Sequence, residues 1–394
     1  MRVLIVLTYY RPHTSGLTIY AERLAKALAR RGHQVTVLTS RFEPSLAAEE
    51  TVDGVRIVRV PVLARISKGV IMPLFPFVAT RLVLENDVVQ LHLPQFDAAW
   101  VAMMGRLFNR PTVITYHCDL LMPPGVLSWL ANQGVRIMNH LAAIFTHRIV
   151  TYTRDYAENS AYLKRHMRKL QCILPPVELP VVSLEAVQAF GRKHNAHQDH
   201  PVIGMGARFA SEKGVEVLLD AMPDILKVHP KAKVLFAGPW QRIVGEEHYI
   251  QRLLPKIKEY EAAGRWEFVG SLSPVEMSAF YPNIDVLTIP SLNSTEAFGL
   301  VQIEAMINGV PSVASNLPGV RQPVRMHGMG RVVPIGDSGA LAEGILAVLE
   351  EKDGYSADPN QIAKQYQPES IAIEYEKMFA RMKEKPGMGE ETKI

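Results

Sequence analysis

Two cysteines, Cys118 and Cys172, are all that the 394 residues contain. So few exclude a disulfide framework and favour a reducing, cytoplasmic setting over secretion. No apolar run approaches the roughly 18 residues of a membrane span. The longest, 69–79, is interrupted by Pro73 and Pro76. The apolar start at residues 3–8 gives way to Tyr9-Tyr10-Arg11-Pro12 and is too short for a secretory signal. Thirteen histidines form no HExxH, and there is no CxxC, so a zinc site has no signature. Asp-x-Asp is also absent, which leaves a metal-bridged diphosphate without an obvious anchor. The lack of GxxxxGK[ST] argues against an ATPase. A 48% hydrophobic, 21% charged composition excludes disordered, collagen-like and coiled-coil chains, and the length favours at least two domains.

The charge that is present is unevenly spread. Residues 1–185 hold 21 Lys/Arg against 13 Asp/Glu, and residues 186–394 hold 22 against 26, so a net of +8 faces a net of −4. The N-terminal half is therefore expected to meet something anionic; by charge alone nucleic acid, anionic lipid and a phosphorylated substrate all fit.

Hydrophobic periodicity alternates between short Val/Ile/Leu runs and helical spacing. A strand at 2–8 precedes a loop and then Leu17, Ala21, Leu24 and Leu28 on one helix face, a stop at Gly32 and a strand at 35–39, which makes one βαβ unit. Strands are expected again at 55–60, 88–92, 112–116 and 148–153, with helices at 97–107, 126–145 and 155–168. Prolines 175, 176 and 180 and the polar segment 191–201 mark a boundary between about 178 and 200. A second series begins at 202–207, continues through a helix at 298–308, and closes with helices near 340–351 and 371–383. The tail 385–394 is expected to be disordered. The fold class is α/β: two doubly wound domains, 1–185 and 186–370, followed by 371–394. Doubly wound sheets bind ligands at the carboxyl ends of their strands.

Four segments carry chemistry at such positions. In PSLNSTEAFGLVQIEAMINGVPSVAS (290–315), Glu296 precedes a helix start at Phe298-Gly299-Leu300, and Glu304 lies inside the helix. At 1.5 Å per residue the carboxylates are ~12 Å apart along the axis, too far for a glycosidase pair. That separation suits two groups gripping an extended ligand, with amide N–H groups for phosphate between them. Alternatively, Glu296 only favours the helix dipole and Glu304 is a solvated face residue. In GMGARFASEKG (204–214), Arg208 and Lys213 follow a strand and suit a diphosphate leaving group, or else sit on a surface turn. Phe209 breaks a dinucleotide fingerprint there, which weakens a dehydrogenase reading. In PHTSGLT (12–18), Gly16 opens a helix where N–H groups can meet a phosphate or an acceptor oxygen, or it marks a plain turn. In TYHCD (115–119), His117 stands at a strand end as a ligand contact or as a hydrogen-bonded loop histidine.

EAFGLVQIEAMINGVP resembles the E-x7-E region of retaining, family 4 glycosyltransferases of the GT-B fold. LTIYAERLAKALARRGHQVTVLTS, TYHCD and ARFASEKG resemble that family's first helix and second strand, its Thr-x-His-x-Asp turn and its Arg…Lys-Gly clamp, in the same order over nearly the whole chain. The resemblance implies two Rossmann-like domains facing across a cleft, with the C-terminal helix crossing back to the N-terminal domain. It implies transfer of a hexose from a UDP- or GDP-linked donor with retention, without metal or other cofactor and without a protein nucleophile. It further implies catalytic roles for Arg208, Lys213, Glu296 and His117, and donor binding by Gly16, Phe298, Gly299, Leu300 and Glu304. Ser15, where the family often has a second glycine, and Asp119 are weaker candidates on the acceptor side. No nucleic-acid partner is implied. The basic N-terminal half with the apolar segment 66–77 raises the expectation of a lipid-linked acceptor and a peripheral place on the inner face of an anionic membrane. A sugar-nucleotide epimerase and a non-catalytic nucleotide-sugar-binding protein are the alternatives.

Overall fold

A computed structural model describes residues 1–66, 69–120, 126–195, 197–243 and 245–384. Ser67 and Lys68 of the apolar 66–77 segment, and the 385–394 tail, lie outside the described residues. Two compact units result, Met1–Pro176 with Gln365–Ile394, and Val177–Lys364.

The sheet of the first unit runs Leu170–Cys172, Arg148–Thr151, Thr112–Tyr116, Val88–Leu93, Arg2–Val6, Gln34–Arg41, Val55–Pro61, Glu49–Val52. Every neighbouring pair is parallel except the last, where Glu49–Val52 returns antiparallel on Val55–Pro61. Val3, Leu4, Ile5 and Val6 are all fully buried. Helices cover both faces of a parallel sheet, so its inner strands read as continuous apolar runs instead of alternating ones. The Gly16–Arg30 helix starts at Ser15, whose hydroxyl accepts from the Thr18 N–H at 3.2 Å, and buries Tyr20, Ala21, Leu24, Ala25 and Leu28 on one stripe.

The second sheet runs Trp266–Gly270, Lys233–Ala237, Val202–Gly206, Val286–Ile289, Ser312–Ser315, Gly330–Val333, all parallel. Counted along this unit the order is third, second, first, fourth, fifth, sixth, the doubly wound arrangement. Its direction of winding reverses between Val202–Gly206 and Val286–Ile289, and the loops leaving those two strands border a crevice. In the first unit the same reversal falls between Arg2–Val6 and Val88–Leu93.

The expected division at 185/186 cuts through the Leu184–His194 helix, which packs on the Pro274–Phe280 helix and belongs to the second unit, so the observed division is at 176/177. The expected division at 370/371 likewise falls inside the Pro368–Glu384 helix, which returns to the first unit. Ile371, Ala372, Tyr375, Met378, Phe379 and Met382 are its buried face, and it packs against Gly16–Arg30. The Tyr375 hydroxyl sits between the Tyr20 hydroxyl at 2.7 Å and Thr115 Oγ1 at 2.9 Å, all buried. At the rim Arg31 grips Glu376 through two bonds of 2.6 and 2.8 Å. Such exposed pairs add little, and the apolar face does most of the holding.

The expected 155–168 helix stops at Asn159 and continues as two 3₁₀ turns, Leu163–Arg165 and Met167–Lys169. Ser160 is the cause: its hydroxyl donates to Asp119 Oδ1 at 2.6 Å and accepts from the Leu163 N–H at 3.3 Å, which offers the backbone an alternative to the helix. The hairpin strands Ala64–Ile66 and Gly69–Ile71 and the Phe75–Glu85 helix fall where the sequence shows only an apolar stretch.

Replacing Tyr375 by Phe removes the shared hydroxyl and leaves Tyr20 and Thr115 each short of a buried partner. Tyr375→Phe is expected to lower unfolding free energy by about 1–3 kcal/mol in urea denaturation; an unchanged midpoint would show that the shared hydroxyl does not help hold the C-terminal helix.

Candidate functional site

In the second unit the segment 207–214 leaves the first strand and the segment 290–299 leaves the fourth, on either side of the reversal. Phe209 anchors the first loop by packing on Phe236, Tyr249 and Phe268, and its N–H donates to Pro239 O at 2.8 Å. Arg208 therefore starts from a fixed backbone. A 3₁₀ turn, Ser211–Lys213, follows and ends at Gly214 with φ +69°. A Cβ at Gly214 would stand 2.1 Å from Pro290 O, so only glycine permits both the left-handed turn and this close approach to the second loop. The Leu292 N–H donates to Glu212 O at 2.9 Å, a second tie between the loops.

These ties bring Lys213 to Glu296. Lys213 Nζ donates to Glu296 Oε2 at 2.6 Å, and the other carboxylate oxygen, Oε1, accepts from the Gly299 N–H at 3.1 Å. Burial works against the charge on Lys213, but Glu296 and Glu212 outweigh it and hold the ammonium pKa above the usual lysine value. Arg208 donates to Glu212 Oε1. Two cations and two carboxylates thus share the mouth of one crevice. Gly299, at φ +77°, delays the helix to Leu300–Met306, two residues shorter at each end than the 298–308 expected. Phe298 is buried, and the Gly299 N–H, expected to await a ligand, is held by Glu296.

Glu304 is not the solvated residue of the alternative reading. It is 8% exposed and accepts from the Tyr281 hydroxyl at 2.8 Å. Tyr281 left no signal in the sequence, because its partner lies 23 residues away on another element.

In the first unit the carboxyl ends of Val88–Leu93 and Thr112–Tyr116 place His92 beside His117. His92 Nδ1 lies 2.8 Å from His117 Nε2 with the rings stacked, and His117 Nδ1 lies 2.5 Å from the Tyr152 hydroxyl. Tyr20 meets the His117 ring edge-on, with centroids 5.0 Å apart. His117 is 6% exposed and both of its ring nitrogens are engaged, so it is oriented and enclosed rather than presented on an open loop. Burial pushes the His92 pKa down to about 3, and burial together with His92 pushes that of His117 well below the usual range. A polar His92 inside the apolar run VVQLHL was the available signal for this pair. Asp119 is structural here: Oδ1 accepts from the hydroxyls of Tyr116 at 2.8 Å and Ser160 at 2.6 Å, and its N–H donates to the Tyr156 hydroxyl at 2.7 Å. Ser15 caps its helix. Gly16, the first helical residue, is exposed, and a Cβ there would meet nothing within 4 Å.

Among the described residues no group of three or more His, Cys, Asp or Glu is arranged to hold a metal ion, and no helix is long and apolar enough to cross a membrane.

Residues 187–366 match the family described as Glycosyl transferases group 1, and residues 15–176 match the Glycosyl transferase 4-like domain. The phosphatidyl-myo-inositol mannosyltransferase of Mycobacterium leprae (strain TN) is 24% identical over 387 residues, covering 96% of each chain. Among solved structures, sucrose-phosphate synthase from Thermosynechococcus elongatus superposes with a TM-score of 0.75 at 21% identity over 97% of this chain and 99% of that one. Anabaena Alr3699/HepE, in complex with UDP-glucose, gives 0.75 at 18% identity over 97% and 100%. The shared fold is GT-B.

A histidine whose folded pKa lies below its unfolded value stays neutral in the native protein while the unfolded chain takes up a proton. The contribution of His92 is thus complete above about pH 6.5 and declines as the pH falls toward 3, by about 1.4 kcal/mol per pH unit for each such imidazole. Urea unfolding followed at pH 7, 6 and 5 is expected to show the first unit losing stability with acid; a flat profile would mean that the pair is not held neutral.

Proposed function

The chain belongs to the group 1 glycosyltransferases, and from that membership we propose that it moves a hexose from a nucleoside diphosphate sugar to an acceptor hydroxyl, retaining the anomeric configuration and using no metal ion. One observation carries the reading: Arg208, Lys213 and Glu296 meet on the two loops that flank the reversal point of the second sheet. A guanidinium and an ammonium there match a diphosphate, the planar fork by two parallel hydrogen bonds and the compact ammonium by charge and N–H donation without a fixed plane.

As the bond from the anomeric carbon to the diphosphate oxygen breaks, its electron pair stays on that oxygen, and Arg208 and Lys213 stabilise the growing charge. Preorganised charges of this kind supply the largest share of many enzymes' rate enhancement. The acceptor oxygen bonds to the anomeric carbon on the face the diphosphate leaves, and its proton passes to the departing phosphate. Glu296 holds Lys213 in place and accepts from donor sugar hydroxyls; Phe298, Gly299 and Leu300 present backbone to the donor, which for Gly299 requires Glu296 to exchange one partner. Glu304, oriented by Tyr281, takes the ribose. In the first unit we assign ligand contact to His117 and Gly16, with Ser15 capping the helix and Asp119 bracing the loop beyond His117. Because the His117 pKa is well below the usual range, it is a poor base, which supports a phosphate destination for the proton.

For the acceptor we propose a lipid-linked hydroxyl. The mycobacterial relative is named for phosphatidyl-myo-inositol. In this chain Leu63, Leu74 and Phe77 are 74%, 54% and 75% exposed, close in sequence to Arg65 and Arg81. Exposed apolar groups beside basic ones suit an anionic membrane surface. UDP-glucose and GDP-mannose are the leading donors, the first supported by the HepE complex.

With a panel of UDP- and GDP-sugars, scored by nucleotide release with and without lipid acceptors in EDTA, the protein is expected to turn over one donor in an acceptor-dependent way. Lys213→Ala and Glu296→Ala should each lower kcat by roughly 10²–10³-fold while circular dichroism stays native. Near wild-type rates in either variant would show that the site is misplaced, and turnover without any acceptor would favour an epimerase. Sedimentation with vesicles containing anionic phospholipid is expected to carry the protein down at low salt and to lose it when Leu74 and Phe77 are both replaced by Ser. Absence of binding at low salt would end the membrane proposal.

A further inference from the structure

We propose that Glu212 sets how tightly the second unit retains a nucleoside diphosphate, by competing with the phosphates for Arg208. The inference rests on the donor-site reading above and concerns a residue to which that reading gives no role.

The two cations of the site are not equivalent. Lys213 is held by Glu296 at 2.6 Å, and Glu296 is itself tied to the Gly299 N–H. Arg208 has Glu212 as its carboxylate partner. Within that second pair the carboxylate is the fixed member: the Glu212 side chain is 12% exposed against 37% for Arg208. The Glu212 backbone is pinned by the Leu292 N–H on its carbonyl, and the adjoining Gly214 lies against Pro290. A long, partly exposed guanidinium can turn from one anion to another, whereas the enclosed carboxylate cannot follow it. Burial alone would favour a protonated Glu212, but Arg208 and Lys213 hold its pKa below the usual range, so the competitor stays charged at neutral pH.

With two cations and two carboxylates the site starts with no formal excess of positive charge. An arriving diphosphate has to draw Arg208 from Glu212 or share it, beside a fixed negative charge. That repulsion grows with the charge on the ligand. The free diphosphate has one more ionisable oxygen than its sugar ester, so Glu212 penalises the product more than the donor. Its place in the loop thus favours release of the nucleotide after transfer. The segment ARFASEKG carries the device in its spacing: Glu212 lies four residues beyond Arg208 and directly before Lys213.

The test is calorimetric titration of the full chain with UDP, GDP and inorganic pyrophosphate, and with UDP-glucose and GDP-mannose. It compares wild type, Glu212→Gln, Arg208→Gln and the double variant. Glu212→Gln is expected to bind the diphosphate roughly fivefold more tightly, with a smaller gain for the matching sugar nucleotide. The double variant should gain less over Arg208→Gln than Glu212→Gln gains over wild type, because the competition for Arg208 is then absent and only the direct repulsion is relieved. Weaker or unchanged diphosphate binding in Glu212→Gln would overturn the proposal and leave Glu212 as a support for the loop. An equal gain for donor and product would overturn the product-release role. Glu212→Ser removes the same charge and carries the test if the glutamine variant does not fold. If wild type binds no diphosphate, or Arg208→Gln binds as wild type does, the donor-site reading itself fails, an outcome distinct from failure of the Glu212 role alone.

Discussion

The ion pair between Lys213 and Glu296 joins two loops that belong to strands far apart in sequence and adjacent in the sheet. Its geometry depends on several small commitments. Gly214 turns left-handed against Pro290, Glu212 O receives the Leu292 N–H, and Glu296 spans from Lys213 to the Gly299 N–H. A parallel doubly wound sheet makes the meeting possible, because only at its reversal do loops from neighbouring strands run to opposite faces and leave a crevice between them. A half-buried charge pair costs some desolvation and contributes little net stability, so this one is better understood as positioning: each member fixes the other at the place where a third charge is to arrive.

The two units handle polarity in opposite ways. In the second, charges are kept and paired, and the expected chemistry is the stabilisation of a leaving anion. In the first, the corresponding strand ends bury two imidazoles against Tyr20 and Tyr152, and burial keeps them neutral. Tyr20 in turn is bonded to Tyr375, so the Pro368–Glu384 helix supports the residues that enclose His117. Imidazoles held this way offer shape and orientation more than acid–base power.

The sequence showed what depends on local order and missed what depends on contact at a distance. Arg208, Lys213 and Glu296 were legible because each stands a few residues past an apolar run, and strand ends are where such sheets bind. The helix after Glu296 was placed two residues early because nothing local reveals that Gly299 adopts φ +77°. Glu304 read as either a ligand group or a solvated one, and excluding the solvated reading needed Tyr281, which bonds to it from another element. His117 read as a ligand contact or as a hydrogen-bonded loop histidine; its enclosure by His92, Tyr152 and Tyr20 comes from three other segments. The break at Ser160 had the same origin, since it takes Asp119, 41 residues earlier, to draw the serine out of the helix.

The most direct measurement is a crystal structure of the protein with the nucleoside diphosphate it binds. The account predicts phosphate oxygens within hydrogen-bond distance of both the Arg208 guanidinium and Lys213 Nζ, with the ribose near Glu304. A nucleotide bound elsewhere, with Lys213 and Glu296 paired but remote from it, would contradict the account.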